Sequence, residues 1–403
     1  MRTLAGFIGL VILALTVVAA GVLIATAANA PTEAVEMAPL AVVPARPAED
    51  AEAAAEAATP AEAAATTETA SAETASLKDT LTPSMLSSFF QPLPTEVEAG
   101  DYQVTNELTH LGRMLFYDHR LSINQQMSCN TCHLLNDYGV DGLNTSLGHD
   151  GNPVSRNAPT VYNAAFHIAQ FWDGRAGDVE EQAGGPMLAA GEMGMPNAAY
   201  VEDVLRSIPG YSEYFVAAFG SAEEPITFDN AKTAIGAFER RLVTPSRFDA
   251  YLLGDATQLT EQELQGAQTF ITVGCVGCHN GLGMGGMMYG KLGQAVPYPL
   301  EDETGRFAVT GEETDKSVFK VPSLRNIAET GPYLHDGSVA TLEEMVQIMG
   351  KYQLARDLTE QEVADIVAFL GALTGDIPEA YIAVPVLPES GPDTASFAKP
   401  VQQ

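Results

Sequence analysis

Apolar and polar positions divide the chain into three kinds of segment. From Phe7 to Ile24 it is almost wholly apolar, and from Thr3 to Thr32 it carries no charge. That run suits a membrane span of ~20 residues better than the ~7–15-residue apolar region of an export signal. Ala28-Asn29-Ala30 offers a cleavage site for the second reading. From about Pro31 to Thr80, Ala, Glu, Thr and Pro dominate and no Phe, Tyr or Trp occurs. Such a segment buries too little apolar surface to offset its ordering entropy, so a disordered linker is expected. Beyond Leu81 apolar positions recur at helical spacing. Thr260-x-x-Glu263, Thr341-x-x-Glu344 and Thr359-x-x-Glu362 fit the capping box that opens helices. Val363, Ile366, Val367, Leu370 and Leu373 then form one stripe, closed by Gly375. No long alternating run calls for a large sheet.

The pattern therefore predicts a mainly α protein with a weak internal repeat. A helical stretch from Glu107 to Phe116 leads into Cys129-Asn130-Thr131-Cys132-His133. Another from Glu263 to Phe270 leads into Cys275-Val276-Gly277-Cys278-His279. The expected organisation is an anchor or signal over 1–30 and a linker over 31–80. Two helical domains follow over 81–243 and 244–376, then an extension over 377–403 that packs back on the first domain. A tether is of more use to an anchored protein than to a released one, which favours the uncleaved anchor. Either way the body of the chain is exported.

Charge and cysteine usage narrow the chemistry. The 403 residues carry 52 acidic and 20 basic side chains, a net charge of −32. Nucleic acid is a poor partner for such a chain, because its phosphates reward cations. A protein presenting a basic patch suits it better. All four cysteines lie in the two C-x-x-C-H motifs. That motif attaches c-type haem: the thiols form thioethers and the histidine lies beneath the iron. A zinc site would need the two pairs to converge, yet each sits in its own helical framework. Two covalently held haems are expected. Of the other histidines, His110, His119, His167 and His335 are ordinary surface or core candidates taken singly. His149 sits in the glycine-flanked loop Gly148-His149-Asp150-Gly151, suited to a ligand that comes off. Met345 and Met349 share one helix face, so pattern alone leaves ligation and packing open for both.

From about Leu86 to Tyr381 the chain resembles the bacterial di-haem cytochrome c peroxidases. The resemblance rests on Arg156-Asn157-Ala158-Pro159-Thr160, Gln170-Phe171-Trp172-Asp173-Gly174-Arg175-Ala176, Glu192-Met193 and Pro332-Tyr333-Leu334-His335-Asp336-Gly337-Ser338. It implies a peroxidatic haem on Cys129, Cys132 and His133, with His149 as its removable ligand. Glu192 would be the acid–base residue, Gln182 its polar companion, and Trp172 the indole between the haems. A second haem on Cys275, Cys278 and His279, with Met349 opposite, would accept electrons. Asn157, Thr330 and Pro332 would hold a calcium ion between the domains.

The implied activity is reduction of hydrogen peroxide to water with electrons from a small soluble cytochrome c or cupredoxin. It would take place in the periplasm, on a protein tethered to the inner membrane or released after cleavage, with a homodimer left open. A non-catalytic tethered carrier with two permanently six-coordinate irons is the first alternative, but it leaves Glu192 without a task. A di-haem oxidase of the quinone-cofactor-maturing type is the second; it resembles this chain but has a tyrosine in place of Met349. A third would make the acidic tether itself the partner-binding element.

Overall fold

The computed structural model describes residues 77–221, 224–300 and 302–399. The expected anchor and the linker up to residue 76 lie outside the described residues. The last four positions of that linker, Leu77–Thr80, form a helical turn that leads into the fully buried Leu81. Among the described residues no helix is long and apolar enough to cross a membrane.

Each half is built on one crossed pair of helices. Asn106–Tyr117 packs against Phe228–Glu239, and Glu261–Val273 packs against Glu360–Gly371. Both crossings are made close by a glycine. A Cβ on Gly112 would run into the backbone oxygen of Ala234, and one on Gly266 into that of Asp365. Four residues beyond each glycine an aromatic ring fills the crossing edge-on. Phe116 meets Phe238 at 5.4 Å and Phe270 meets Phe369 at 5.6 Å between ring centres. The repeat is thus structural as well as motif-deep.

The caps explain where these helices begin. Thr260 with Glu263 and Thr359 with Glu362 each form the full reciprocal box, while Thr341 accepts only from the Glu344 N–H. The Thr359 helix stops at Gly371, short of the expected Gly375, whose backbone instead lies against Thr244 and Pro245. After Thr341 the helix Leu342–Ile348 continues as a wider π turn, Met349–Gln353. The one sheet among the described residues pairs Tyr289–Lys291 with Val318–Lys320, antiparallel.

Two buried apolar clusters form the cores, and the chain ends are exchanged between them. Leu81, Leu86 and Phe90, expected with the first domain, pack with Phe248, Phe270 and Phe369 of the second. The buried Arg325 ties this segment down, bonding Asp249 at 2.8 Å and the Gln91 carbonyl at 3.0 Å. In return Ile377, Tyr381, Ile382, Leu387 and Phe397 pack on the first core. Their backbone is held by Arg120 to the Pro388 carbonyl (2.9 Å), Tyr117 to that of Ile382 (2.6 Å), and the Lys399 N–H to that of Ile123 (2.7 Å).

Candidate functional site

Each C-x-x-C-H motif opens onto its own cavity. The first, of about 500 Å³, is lined by Cys129, Cys132 and His133 together with Gln182, Glu192 and Trp172. The second, of about 750 Å³, is lined by Cys275, Cys278 and His279 with Met345 and Met349. Cys129–Cys132 is a single helical turn capped by Ser128 and Thr131. Cys275–Gly277 is a 3₁₀ turn entered through Gly274 at φ 107°, a conformation that favours glycine.

The two motif histidines are set up alike. His133 Nδ1 lies 3.2 Å from the Gly139 carbonyl, and His279 Nδ1 lies 3.1 Å from that of Met284. A carbonyl only accepts, so Nδ1 carries the proton in each ring and Nε2 keeps its lone pair for a metal. Burial strengthens this by disfavouring the imidazolium: it lowers His133 and takes His279 down to about 4. It also pushes the thiols of Cys132 and Cys275 up to about 11. Two apolar cavities, each with a cysteine pair and a neutral imidazole, fit two haem c groups.

Glu192 is the half-buried carboxyl of the first cavity. Desolvation raises its pKa, and the Arg175 guanidinium offsets part of the rise. The Glu192 carbonyl accepts the backbone N–H of His149 at 2.8 Å, so the acid and the glycine-flanked loop are tied together. The His149 ring does not line the cavity with His133: its Nε2 lies 3.1 Å from the Ala190 carbonyl, packed against Gly194. The structure thus brings Glu192, Gln182, Trp172 and His133 together, with His149 outside them. In the lining of the same cavity, Arg156 bridges Asp173 (2.7 Å) and Glu303 (2.9 Å).

Trp172 and Asn157 line both cavities. Asn157 commits its amide nitrogen to the carbonyls of Leu143 (2.9 Å) and Asn144 (3.1 Å), which turns its side-chain oxygen the other way. Thr330 and Pro332 line the second cavity with it. One amide oxygen and two carbonyls are hard donors of the kind calcium takes.

Sequence reasoning passed over Glu239 and the pair Lys320–His167. Glu239 lines the first cavity, 4% exposed, and burial with the nearby Glu180 carboxylate raises it to about 8. Its helical spacing from Ile235, on the buried face of its helix, was the available signal. Lys320 and His167 line the second cavity, and neither belongs to a motif.

Comparison with known proteins agrees with this arrangement. Residues 106–257 match the family described as di-haem cytochrome c peroxidase, and residues 264–374 match cytochrome c. A cytochrome c551 peroxidase of Nitrosomonas europaea is 48% identical over 290 residues, covering 72% of this chain and 85% of that one. A cytochrome c551 peroxidase of Pseudomonas aeruginosa is 44% identical over 311 residues, covering 75% and 89%. Among solved structures, a MauG-like protein associated with microbial copper homeostasis superposes with a TM-score of 0.65 at 34% identity, covering 73% of this chain and 97% of that one. With two matched haem-domain profiles, close relatives along most of their length and a cavity behind each C-x-x-C-H motif, the chain belongs to the di-haem cytochrome c peroxidase family.

Proposed function

We propose that this chain works as a periplasmic cytochrome c peroxidase, reducing hydrogen peroxide to water with electrons from a small cytochrome c or cupredoxin. Cys129 and Cys132 would hold one haem c by thioethers, with His133 Nε2 on its iron; Cys275, Cys278, His279 and Met349 would hold the other. When bound, the haem irons supply the electron transfer and O–O chemistry that side chains lack. The observation that carries the reading is Glu192, a carboxyl raised by burial in the cavity of the first C-x-x-C-H motif.

Glu192 would accept a proton from one peroxide oxygen and return it to the other, which then departs as water. Gln182 orients the peroxide as a neutral donor. Trp172 fills the space between the cavities, where it bears on electron passage from the second site to the first. Over the whole reaction peroxide takes up two electrons and two protons and leaves as two waters. His149 would close the first site in the oxidised protein and release it on reduction of the second, the glycines beside it providing the hinge. Calcium on Asn157 and the carbonyls of Thr330 and Pro332 would couple the domains.

The test is peroxide-dependent oxidation of a reduced small cytochrome c by the purified two-haem protein, with His149→Gly alongside. A peroxidase turns over, and His149→Gly turns over without prior reduction. A tethered electron carrier oxidises the donor no faster when peroxide is added, and loses a structural ligand in the variant without gaining activity.

A further inference from the structure

We propose that Lys320 and His167 form a carboxylate seat in the second cavity, which grips a haem propionate across the domain boundary and raises that haem's reduction potential. The inference rests on the reading of Cys275, Cys278 and His279 as a haem site. His167 follows the turn Ala164–Phe166 of the first domain, and Lys320 ends the strand Val318–Lys320 of the second. Lys320 Nζ lies 2.9 Å from His167 Nδ1. An ammonium only donates, so Nδ1 accepts and the neutral ring carries its proton on Nε2. That Nε2 is buried and has no partner among the described residues.

His167 Nε2 is therefore a buried donor with nothing to take its proton, and Lys320 Nζ, beside it in the lining of the second cavity, has only the ring's Nδ1. An unmet buried donor costs about 1–3 kcal/mol, and more when it is charged. Burial draws Lys320 down to about 8, and burial with the lysine beside it holds His167 well below its ordinary value. A carboxylate accepting from Nζ and Nε2 would meet both needs at once, and haem brings carboxylates on its edge. The frame is firmly set. The Lys320 N–H donates to the Trp172 carbonyl at 2.8 Å, and the Ile168 N–H to that of Gly286 at 2.9 Å. A Cβ on Gly286, at φ 80°, would strike the imidazole. Lys320 is thus a positioning residue whose charge favours the reduced haem by Coulomb attraction to the added electron.

The experiment is a spectropotentiometric titration of the holoprotein, with resonance Raman spectra of the propionate bending modes. Lys320→Met is expected to lower the potential of the second haem, leave that of the first in place and shift the propionate modes. Lys320→Arg should restore the potential. His167→Phe, which keeps the ring and removes the Nε2 donor, should shift the same modes even where Lys320→Met folds poorly. Haem-loaded Lys320→Met or His167→Phe with unaltered propionate modes and potential overturns the seat while leaving the peroxidase reading intact. A wild-type protein without haem on the Cys275–Cys278 pair overturns both.

Discussion

The indole Nε1 of Trp172 donates to the backbone oxygen of Asn157 at 3.0 Å, and both residues line both cavities. The same indole meets the His335 ring edge-on at 6.4 Å. Trp172→Phe keeps most of the packing but leaves the Asn157 carbonyl without its donor, at a cost of about 1–3 kcal/mol in unfolding free energy. Peroxide turnover is expected to fall while each haem keeps its spectrum. Stopped-flow absorbance of the half-reduced protein checks this; reoxidation of both haems at the wild-type rate would reduce Trp172 to a packing residue.

Glu192→Gln keeps the shape of the first cavity and removes the proton carrier proposed there. A general acid–base group contributes ~10²–10⁴-fold, so turnover should drop within that range with both haems retained. The raised carboxyl also sets a sign. Glu192 works as a base only above its own pKa, so activity should fade on acidification at a pH above the ordinary glutamate value of about 4.3. A kcat/KM profile against pH measures it, and near-normal turnover in the variant removes Glu192 from the mechanism.

Met349 opens the π turn that succeeds the Leu342–Ile348 helix, whereas Met345 lies within the regular helix. Such turns often mark functional positions, which supports Met349 as the iron ligand. Met349→His should lower the potential of the second haem, since imidazole favours the ferric state more than a thioether does. Met345→Leu, a volume-conserving swap, should cost under about 1.5 kcal/mol and leave the thioether band in place. Loss of that band in Met345→Leu would reverse the assignment.

Gly266→Ala places a methyl against the backbone oxygen of Asp365 and the Cβ of Phe369, neither of which can swing aside. Overpacking of this kind typically costs about 1–3 kcal/mol. Gly371→Ala, at a helical glycine with open space around its Cβ position, is the control and should be neutral or slightly stabilising. Thermal unfolding of the two variants separates these outcomes.

The helices, their caps and the two attachment loops were legible because each is a local pattern: a threonine and a glutamate three residues on, or two cysteines and a histidine. Glu192 and Trp172 became legible only through the resemblance. What stayed hidden depends on partners distant in sequence. Nothing near Lys320 announces that a histidine 153 residues earlier will meet its ammonium. Nor does Leu81 or Phe90 show that its burial lies with Phe369 and not with the helix that follows it. The position of the His149 ring is set by the Ala190 carbonyl, and a flexible loop's preferred acceptor cannot be read from its glycines.

The exchanged ends make the two domains inseparable as pieces. The second core is completed by residues 81–90, which leave the ribosome before either attachment motif. The first is closed by residues 377–399, which leave it after both. Cutting the chain between the domains at about residue 243 would strip each half of buried side chains supplied by the other. The first core, although encoded first, therefore acquires its full packing last. Haem attachment to Cys129 and Cys132 that begins before the chain is finished would then meet a first core whose outer strap is still to come.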